Sequence, residues 1–373
     1  MRNGFTTGSC AAAASKAAAW MLLGGNRKET IEIDTPAGVK YSPVLEDITV
    51  LPKSVRCAVR KDAGDDPDIT NGTLIYAEVC YAGGDTGRIV IEGGCGVGRV
   101  TRPGLDQSVG SAAINSVPRQ MIEKEVREVM DFFDYHGDLY VEISVPEGEE
   151  LAKKTFNPRL GIEGGISIIG TTGIVEPMST KAILETIRVE LRQRKEMGDP
   201  VAVVSPGNYG LEFMKEKYGY DLDRAVKCSN YIGDTVDMVA ETGFSKLLIC
   251  GHIGKLVKVA GGIMNTHSRE ADCRMELMAA AAAMRGADAG TIRRILSCLT
   301  TEEACGICRE AGILEECLSY LMELIAFYLE KRAAGRLETG CIVYANSLGL
   351  LGETPNAGGL MEEALQGSKG ENG

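Results

Sequence analysis

Val201-Ala-Val-Val-Ser205 followed by Pro206-Gly-Asn-Tyr-Gly210 decides how this chain is read. A short apolar strand runs into a loop punctuated by Pro and Gly. The pattern recurs at Leu247-Leu-Ile-Cys250 followed by Gly251-His-Ile-Gly-Lys255. Amphipathic stretches predicted as helices lie around these strands, at 180–197, 211–218 and Ile232–Glu241. Short apolar strands alternating with amphipathic helices call for a parallel sheet covered on both faces. Further strands are expected at 166–169, 225–227 and 342–345, with a long helical excursion over 270–334 before the last. The expected fold class is therefore α/β and α+β in two domains, the second (156–353) a Rossmann-like, mostly parallel α/β domain with a helical insertion. Residues 354–373 turn to Gly and polar side chains and are expected to form a mobile C-terminal tail.

Ahead of it, residues 11–23 are rich in Ala but broken by Lys16, which fits a helix better than the apolar core of a signal peptide. Strands are predicted at 30–34, Ser54–Arg60, 74–81, 88–92 and 139–145. A helix starts behind Ser116, with Pro118 in its first turn and Met121, Ile122, Val126, Val129 and Phe133 at helical spacing. This makes 1–155 an α+β domain.

The 373 residues fit two domains, and 44% apolar with 25% charged side chains supports a sizeable core rather than general disorder. A net charge of −12 repels phosphate backbones, so nucleic acid is not an expected partner. No run reaches the ~20 apolar residues of a membrane span. Twelve cysteines scattered through apolar segments fit a reducing cytoplasm, and Cys305 and Cys308 have no second pair with which to bind zinc, so no protein-bound metal is expected.

Several segments carry chemistry. Thr6, Thr7 and Ser9 stand before the Ala-rich helix, where free N–H groups either are capped or hold an anion. Gly93-Gly-Cys-Gly-Val-Gly98 does not match a dinucleotide fingerprint, because Arg99-Val-Thr-Arg-Pro103 does not open a helix; it marks a tight turn or close backbone approach. Asp62, Asp65, Asp66 and Asp68 form either a solvated acidic loop or a place where neighbouring charge raises one carboxylate enough to act as a base. Gly170-Thr171-Thr172-Gly173 is read as a ligand loop beyond a strand, with Glu176 as a ribose partner. Gly251 and His252 end another strand, and Asn265-Thr-His267-Ser-Arg269 collects an imidazole, hydroxyls and a guanidinium suited to an anion.

Taken in order, six motifs make the chain resemble the CbiD family, the cobalt-precorrin-5B C-1 methyltransferases of anaerobic cobalamin synthesis. They are Arg2-Asn-Gly-Phe-Thr-Thr-Gly-Ser-Cys, Lys61-Asp-Ala-Gly-Asp-Asp-Pro-Asp, Gly96-Val-Gly-Arg-Val-Thr-Arg-Pro, Asn157-Pro-Arg-Leu-Gly-Ile, 164–179, and Gly251-His-Ile-Gly-Lys through Asn265-Thr-His-Ser-Arg. The resemblance implies an S-adenosylmethionine-dependent C-methyltransferase acting on a small cobalt corrinoid in the cytoplasm, with transient contact with other pathway enzymes. Strand-end geometry, not the resemblance, places the expected cofactor at Gly170, Thr171, Thr172, Gly173, Glu176 and Gly251. His252 and Asp65 are the expected proton-handling residues. Thr6, Thr7, Ser9, Arg102, Arg159, Lys255, His267 and Arg269, with Arg119 as a further cation, are expected to meet the substrate's carboxylates. A non-enzymatic corrinoid carrier and a nucleotide-dependent oxidoreductase are the alternative readings.

Overall fold

The computed structural model describes residues 1–177 and 179–367. The chain divides into two units, Met1–Ser179 and Thr180–Gly373.

In the first unit, Leu45–Val50, Ser54–Arg60, Leu74–Ala82, Asp138–Ser144 and Ile89–Gly93 form one sheet in that order, with only the last pair parallel. Alternate residues such as Ile75, Ala77, Val79, Leu139, Val141 and Ile143 are fully buried, the period of two expected of a sheet covered on one face. The helices Thr7–Gly24 and Ser116–Phe132 supply much of the rest of this unit's core. Alanine favours helix and its single methyl lets neighbours approach, so the first helix is buried almost all round instead of along one stripe. Lys16 interrupts the alanine run because it crosses to the second helix, bonding the buried Glu125 at 2.5 Å and Glu128 at 3.0 Å. The edge strand Leu45–Val50 was not legible in the sequence, since Glu46 and Asp47 break its alternation at an irregularity where Asp47 has φ 50°.

The 166–169 segment is the main correction to the expected architecture. Gly165–Ile166 pairs in parallel with Gly96–Val97, and Ile162–Glu163 pairs with Arg99–Val100, so these residues belong to the first unit and the division falls at 179/180 rather than 155/156. The glycine-rich 93–98 segment explains the pairing. A Cβ on Gly165 would run into the Gly96 carbonyl, and one on Gly96 into that of Val145, so only bare backbone permits this contact.

In the second unit the sheet order is Val226–Lys227, Ala202–Ser205, Lys246–His252, Glu338–Ala345 and Gly349–Glu353, parallel except for the last strand. Both faces are covered. Ala202, Val204, Leu247, Ile249, Cys341 and Val343 pack into a core with Thr180–Glu196, Ile232–Glu241 and the helical excursion, which consists of Arg274–Met284, Ala289–Leu296, Thr301–Glu310 and Leu314–Ala333. Val203, Leu248, Cys250, Ile342 and Tyr344 face Asn208–Tyr218 and a final helix, Ala357–Gln366.

That final helix corrects the expected tail at 354–373. Ala357, Leu360, Met361 and Ala364 recur at helical spacing and are buried, while Lys246 ties down Glu363 at 2.6 Å. The buried Arg224, paired with Asp199, also donates to the Ala364 carbonyl at 3.3 Å. Residues 368–373 of the expected tail lie outside the described residues. Among the described residues no helix is long and apolar enough to cross a membrane.

Candidate active site at the carboxyl ends of the parallel strands

In the second unit, the strand ends at Ser205 and His252 open onto a cavity of about 660 Å³. Gly207, Gly210 and Gly251 contribute backbone to its wall, and Lys255, Lys258, His267 and Arg274 contribute cationic or imidazole groups. Glu302 is the one carboxylate among the residues lining it. In a chain of net charge −12, this concentration of cations favours an anionic ligand.

Several groups are held in place by their neighbours. His252 ends its strand and caps the short turn Ile253–Leu256, its Nδ1 accepting from the Gly254 N–H at 3.0 Å. Its Nε2 lies 3.0 Å from Glu302 Oε1. The ring meets Tyr344 edge-on at 5.6 Å, and Tyr344 is stacked on Phe213 at 4.6 Å. Lys255 donates to the Pro206 carbonyl at 2.9 Å, and burial holds its amine below the usual lysine value. Lys258 is 1% exposed and donates to the carbonyls of Thr266 at 3.1 Å and Ala271 at 2.9 Å. It thereby fixes the loop that carries His267 and Ser268. His267 Nδ1 accepts from the Arg269 N–H at 3.0 Å, so that loop is also stitched locally.

Of the expected site residues, Gly251, His252, Lys255 and His267 line this one cavity, and Arg269 is an exposed member of the adjoining loop. Thr6, Thr7 and Ser9 meet the 169–173 loop in the first unit. The Thr6 hydroxyl accepts from the Ser9 N–H at 3.2 Å, Thr7 Oγ1 accepts from Ile169 N–H at 2.9 Å, and Ser9 Oγ donates to the Gly173 carbonyl at 2.7 Å. A Cβ on Gly170 would strike the Thr6 side chain. The helix start is therefore covered by the protein's own loop, and 166–169 pairs with the short segments at Gly96–Val97 and Ile114, so the strand end expected to hold a cofactor at Gly170, Thr171, Thr172 and Gly173 is not an end of the mostly parallel five-stranded sheet. Glu176 is exposed beside the short strand Ile174–Val175.

The acidic loop is likewise engaged by the protein's own groups. Arg2 donates to both Asp62 oxygens at 2.5 and 2.7 Å, and this pairing holds the carboxyl down at about 2. Asp68 pairs with the buried Lys61 and is also lowered, overcoming its burial, while Asp65 accepts from the Arg2 N–H at 2.5 Å. The neighbours of Asp62 and Asp68 stabilise the charged form, the reverse of the raised carboxylate considered from sequence. Arg102 donates to the Arg159 carbonyl at 3.4 Å and Arg159 is half-buried. Arg119 is engaged by the Ile114 and Ile91 carbonyls, both at 2.9 Å.

Sequence reasoning missed Lys258, Arg274 and Glu302. Lys258 sits in the recognised Gly251-to-Arg269 region, three residues beyond Lys255, but its burial has no sequence signature. Arg274 and Glu302 lie inside the helical excursion, where a charge reads as a solvated face.

An α/β protein with a cation-lined cavity at the carboxyl ends of parallel strands belongs to the class that binds small molecules at such ends. Comparison with known sequences then narrows the class. This chain belongs to the CbiD family, whose model matches residues 1–177, while the model described as CbiD, C-terminal domain, matches residues 265–355. Among its relatives, a protein of Ruminiclostridium cellulolyticum named cobalt-precorrin-5B C(1)-methyltransferase is 49% identical over 89% of this chain and 86% of its own. A protein of the same name from Alkaliphilus metalliredigens is 47% identical over 97% of this chain and 94% of its own. The crystal structure of a cobalamin biosynthesis protein (cbiD) from Archaeoglobus fulgidus is 30% identical, covering 74% of this chain and 84% of that one, with a TM-score of 0.39.

Proposed function

We propose that this protein transfers a methyl group from S-adenosylmethionine to C-1 of cobalt-precorrin-5B, giving cobalt-precorrin-6A and S-adenosylhomocysteine. The observation that carries this reading is the 47% identity to the Alkaliphilus metalliredigens enzyme, extending over 97% of this chain. The second unit is read as Rossmann-like, from its four parallel strands with helices on both faces.

The cavity residues fit such a donor. A volume of about 660 Å³ is within the ~300–1,000 Å³ of small-molecule clefts. Gly207 and Gly251 offer bare backbone for close approach, and the Lys255 ammonium is suited to the donor's carboxylate. The cofactor role expected of Gly251 is retained. The role expected of 170–173 and Glu176 is assigned instead to this cavity, since Thr7 and Ser9 engage the loop at Ile169 and at the Gly173 carbonyl and Gly170 lies against Thr6. Arg102, Arg159, His267 and Arg269 remain proposed partners for the corrinoid's carboxylates.

The bound donor supplies an activated methyl on a sulfonium, and alignment of the two reactants accounts for most of the acceleration. The protein's part is to hold both in line and keep water out. Titration calorimetry with S-adenosylhomocysteine, a nicotinamide dinucleotide and a cobalt corrinoid tests the reading. The expected result is binding of S-adenosylhomocysteine and corrinoid; corrinoid alone marks a carrier, and nicotinamide binding marks an oxidoreductase.

A further inference from the structure

Glu302 lies in the first turn of Thr301–Glu310, behind the capping Thr300, where the positive end of the helix dipole favours a carboxylate. Its two oxygens serve different chain segments. Oε1 faces His252 Nε2 at 3.0 Å, and Oε2 accepts the Ser347 N–H at 3.2 Å together with the Ser347 hydroxyl. Ser347 belongs to the loop between Glu338–Ala345 and Gly349–Glu353. One carboxylate therefore ties the end of one parallel strand to the loop after the next.

The hydrogen bonds also define the imidazole. Gly254 N–H can only donate, so His252 Nδ1 must accept and carries no proton. The ring proton then sits on Nε2, where it is donated to Glu302. With Nδ1 accepting and Nε2 donating, both ring nitrogens are committed, and the cap on the Ile253–Leu256 turn depends on this tautomer. His252 thus acts as a strut rather than as the base expected from its position. The turn that it caps carries Lys255, whose Nζ reaches across to the Pro206 carbonyl at 2.9 Å.

We propose that Glu302 is a positioning residue for methyl transfer: through His252 it holds the Ile253–Leu256 turn, and with it Lys255, against the cavity, while through Ser347 it fixes the neighbouring loop. This rests on the cavity being the methyl donor's site. The whole chain acts here, since Glu302 itself need touch neither reactant.

The test compares Glu302→Ala and Glu302→Gln in the full-length protein, with kcat and KM measured for methyl transfer and ¹⁵N NMR used to read the two ring nitrogens of His252. Glu302→Ala is expected to lower kcat roughly 10- to 100-fold through misalignment, more than it raises the donor KM. With Nε2 released, the His252 ring should lose the orientation that Glu302 holds, loosening the Gly254 cap and moving the Nδ1 and Nε2 signals from their wild-type positions towards those of a mobile imidazole. Glu302→Gln keeps an acceptor for Nε2–H but none for Ser347 N–H, so the tautomer is retained and kcat falls only about fivefold, the effect of ~1 kcal/mol for one hydrogen bond. Wild-type ring signals in Glu302→Ala, or kcat within about twofold of wild type, overturn the proposal. If thermal unfolding shows that Glu302→Ala does not fold, Glu302→Gln decides: a retained tautomer with a several-fold lower kcat supports it, and an unchanged kcat refutes it. The ring signature is read on the protein alone. Absence of transfer by the wild type refutes the parent reading, and the ring signature then decides the tether by itself.

Discussion

Replacing Lys258 by Met removes an ammonium from the second unit while keeping an unbranched stem of similar length. The ammonium is 1% exposed and holds the carbonyls of Thr266 and Ala271 at 3.1 and 2.9 Å, with Ser268 Oγ at 3.4 Å. Two hydrogen bonds from a charged donor contribute ~3–6 kcal/mol gross, at ~1.5–3 kcal/mol each. Against this, neutralising a buried ammonium relieves a desolvation cost of several kcal/mol. Asp272, 3.7 Å away and half-exposed, adds less than ~1 kcal/mol. The net expectation is a loss of about 2 kcal/mol, because the freed Ala271 carbonyl can find water whereas the Thr266 carbonyl stays bonded to nothing in a buried residue. For a unit of this size that lowers Tm by about 4–8 °C. The same carbonyls anchor the wall at Thr266 and Ser268, so affinity for S-adenosylhomocysteine should fall about fivefold from an ordering cost of ~1 kcal/mol. Calorimetric unfolding and ligand titration measure both. A Tm within about 1 °C of wild type would refute the claim that Lys258 fixes this loop.

Gly170→Ala should destabilise the first unit by ~1–3 kcal/mol, since φ is +138° and the new methyl strikes Thr6; an unchanged Tm would show that the 169–173 loop does not lock the first helix. The Arg2–Asp62 pair gives a pH signature. Its folded carboxyl is lowered from 3.8 to about 2, so its stabilisation is complete above the ordinary value and disappears as pH falls through about 2. Because the pair is half-exposed, Arg2→Ala should lower Tm slightly at neutral pH and not at all below about pH 2; an equal loss at both would contradict the pairing.

The parallel half was legible because its strands are buried on both faces and leave unmistakable apolar runs, as at Val203 and Leu248. Ile232–Glu241 and Ser54–Arg60 follow the sequence pattern directly. The 166–169 run carried the same apolar signature but joins short segments of the first unit instead of the mostly parallel sheet of the second, because the glycines at Gly96 and Gly165 allow backbones to pair where side chains would forbid it. Apolar period alone does not say which sheet a strand joins. The Ala357–Gln366 helix was hidden by Gly358 and Gly359, although its buried positions keep helical spacing. At the site, strand-end position pointed correctly to where His252 and Lys255 lie. It could not reveal that both ring nitrogens of His252 are already engaged, which depends on Gly254 two residues on and on Glu302 fifty residues on.

Every role proposed for the cavity depends on methyl transfer to C-1. Anaerobic incubation of the protein with methyl-labelled S-adenosylmethionine and cobalt-precorrin-5B tests it most directly, with mass spectrometry reading the product and NMR the label. The expected outcome is one labelled methyl at C-1 and stoichiometric S-adenosylhomocysteine. Unmethylated corrinoid, under conditions where the Alkaliphilus metalliredigens relative is active, would contradict it.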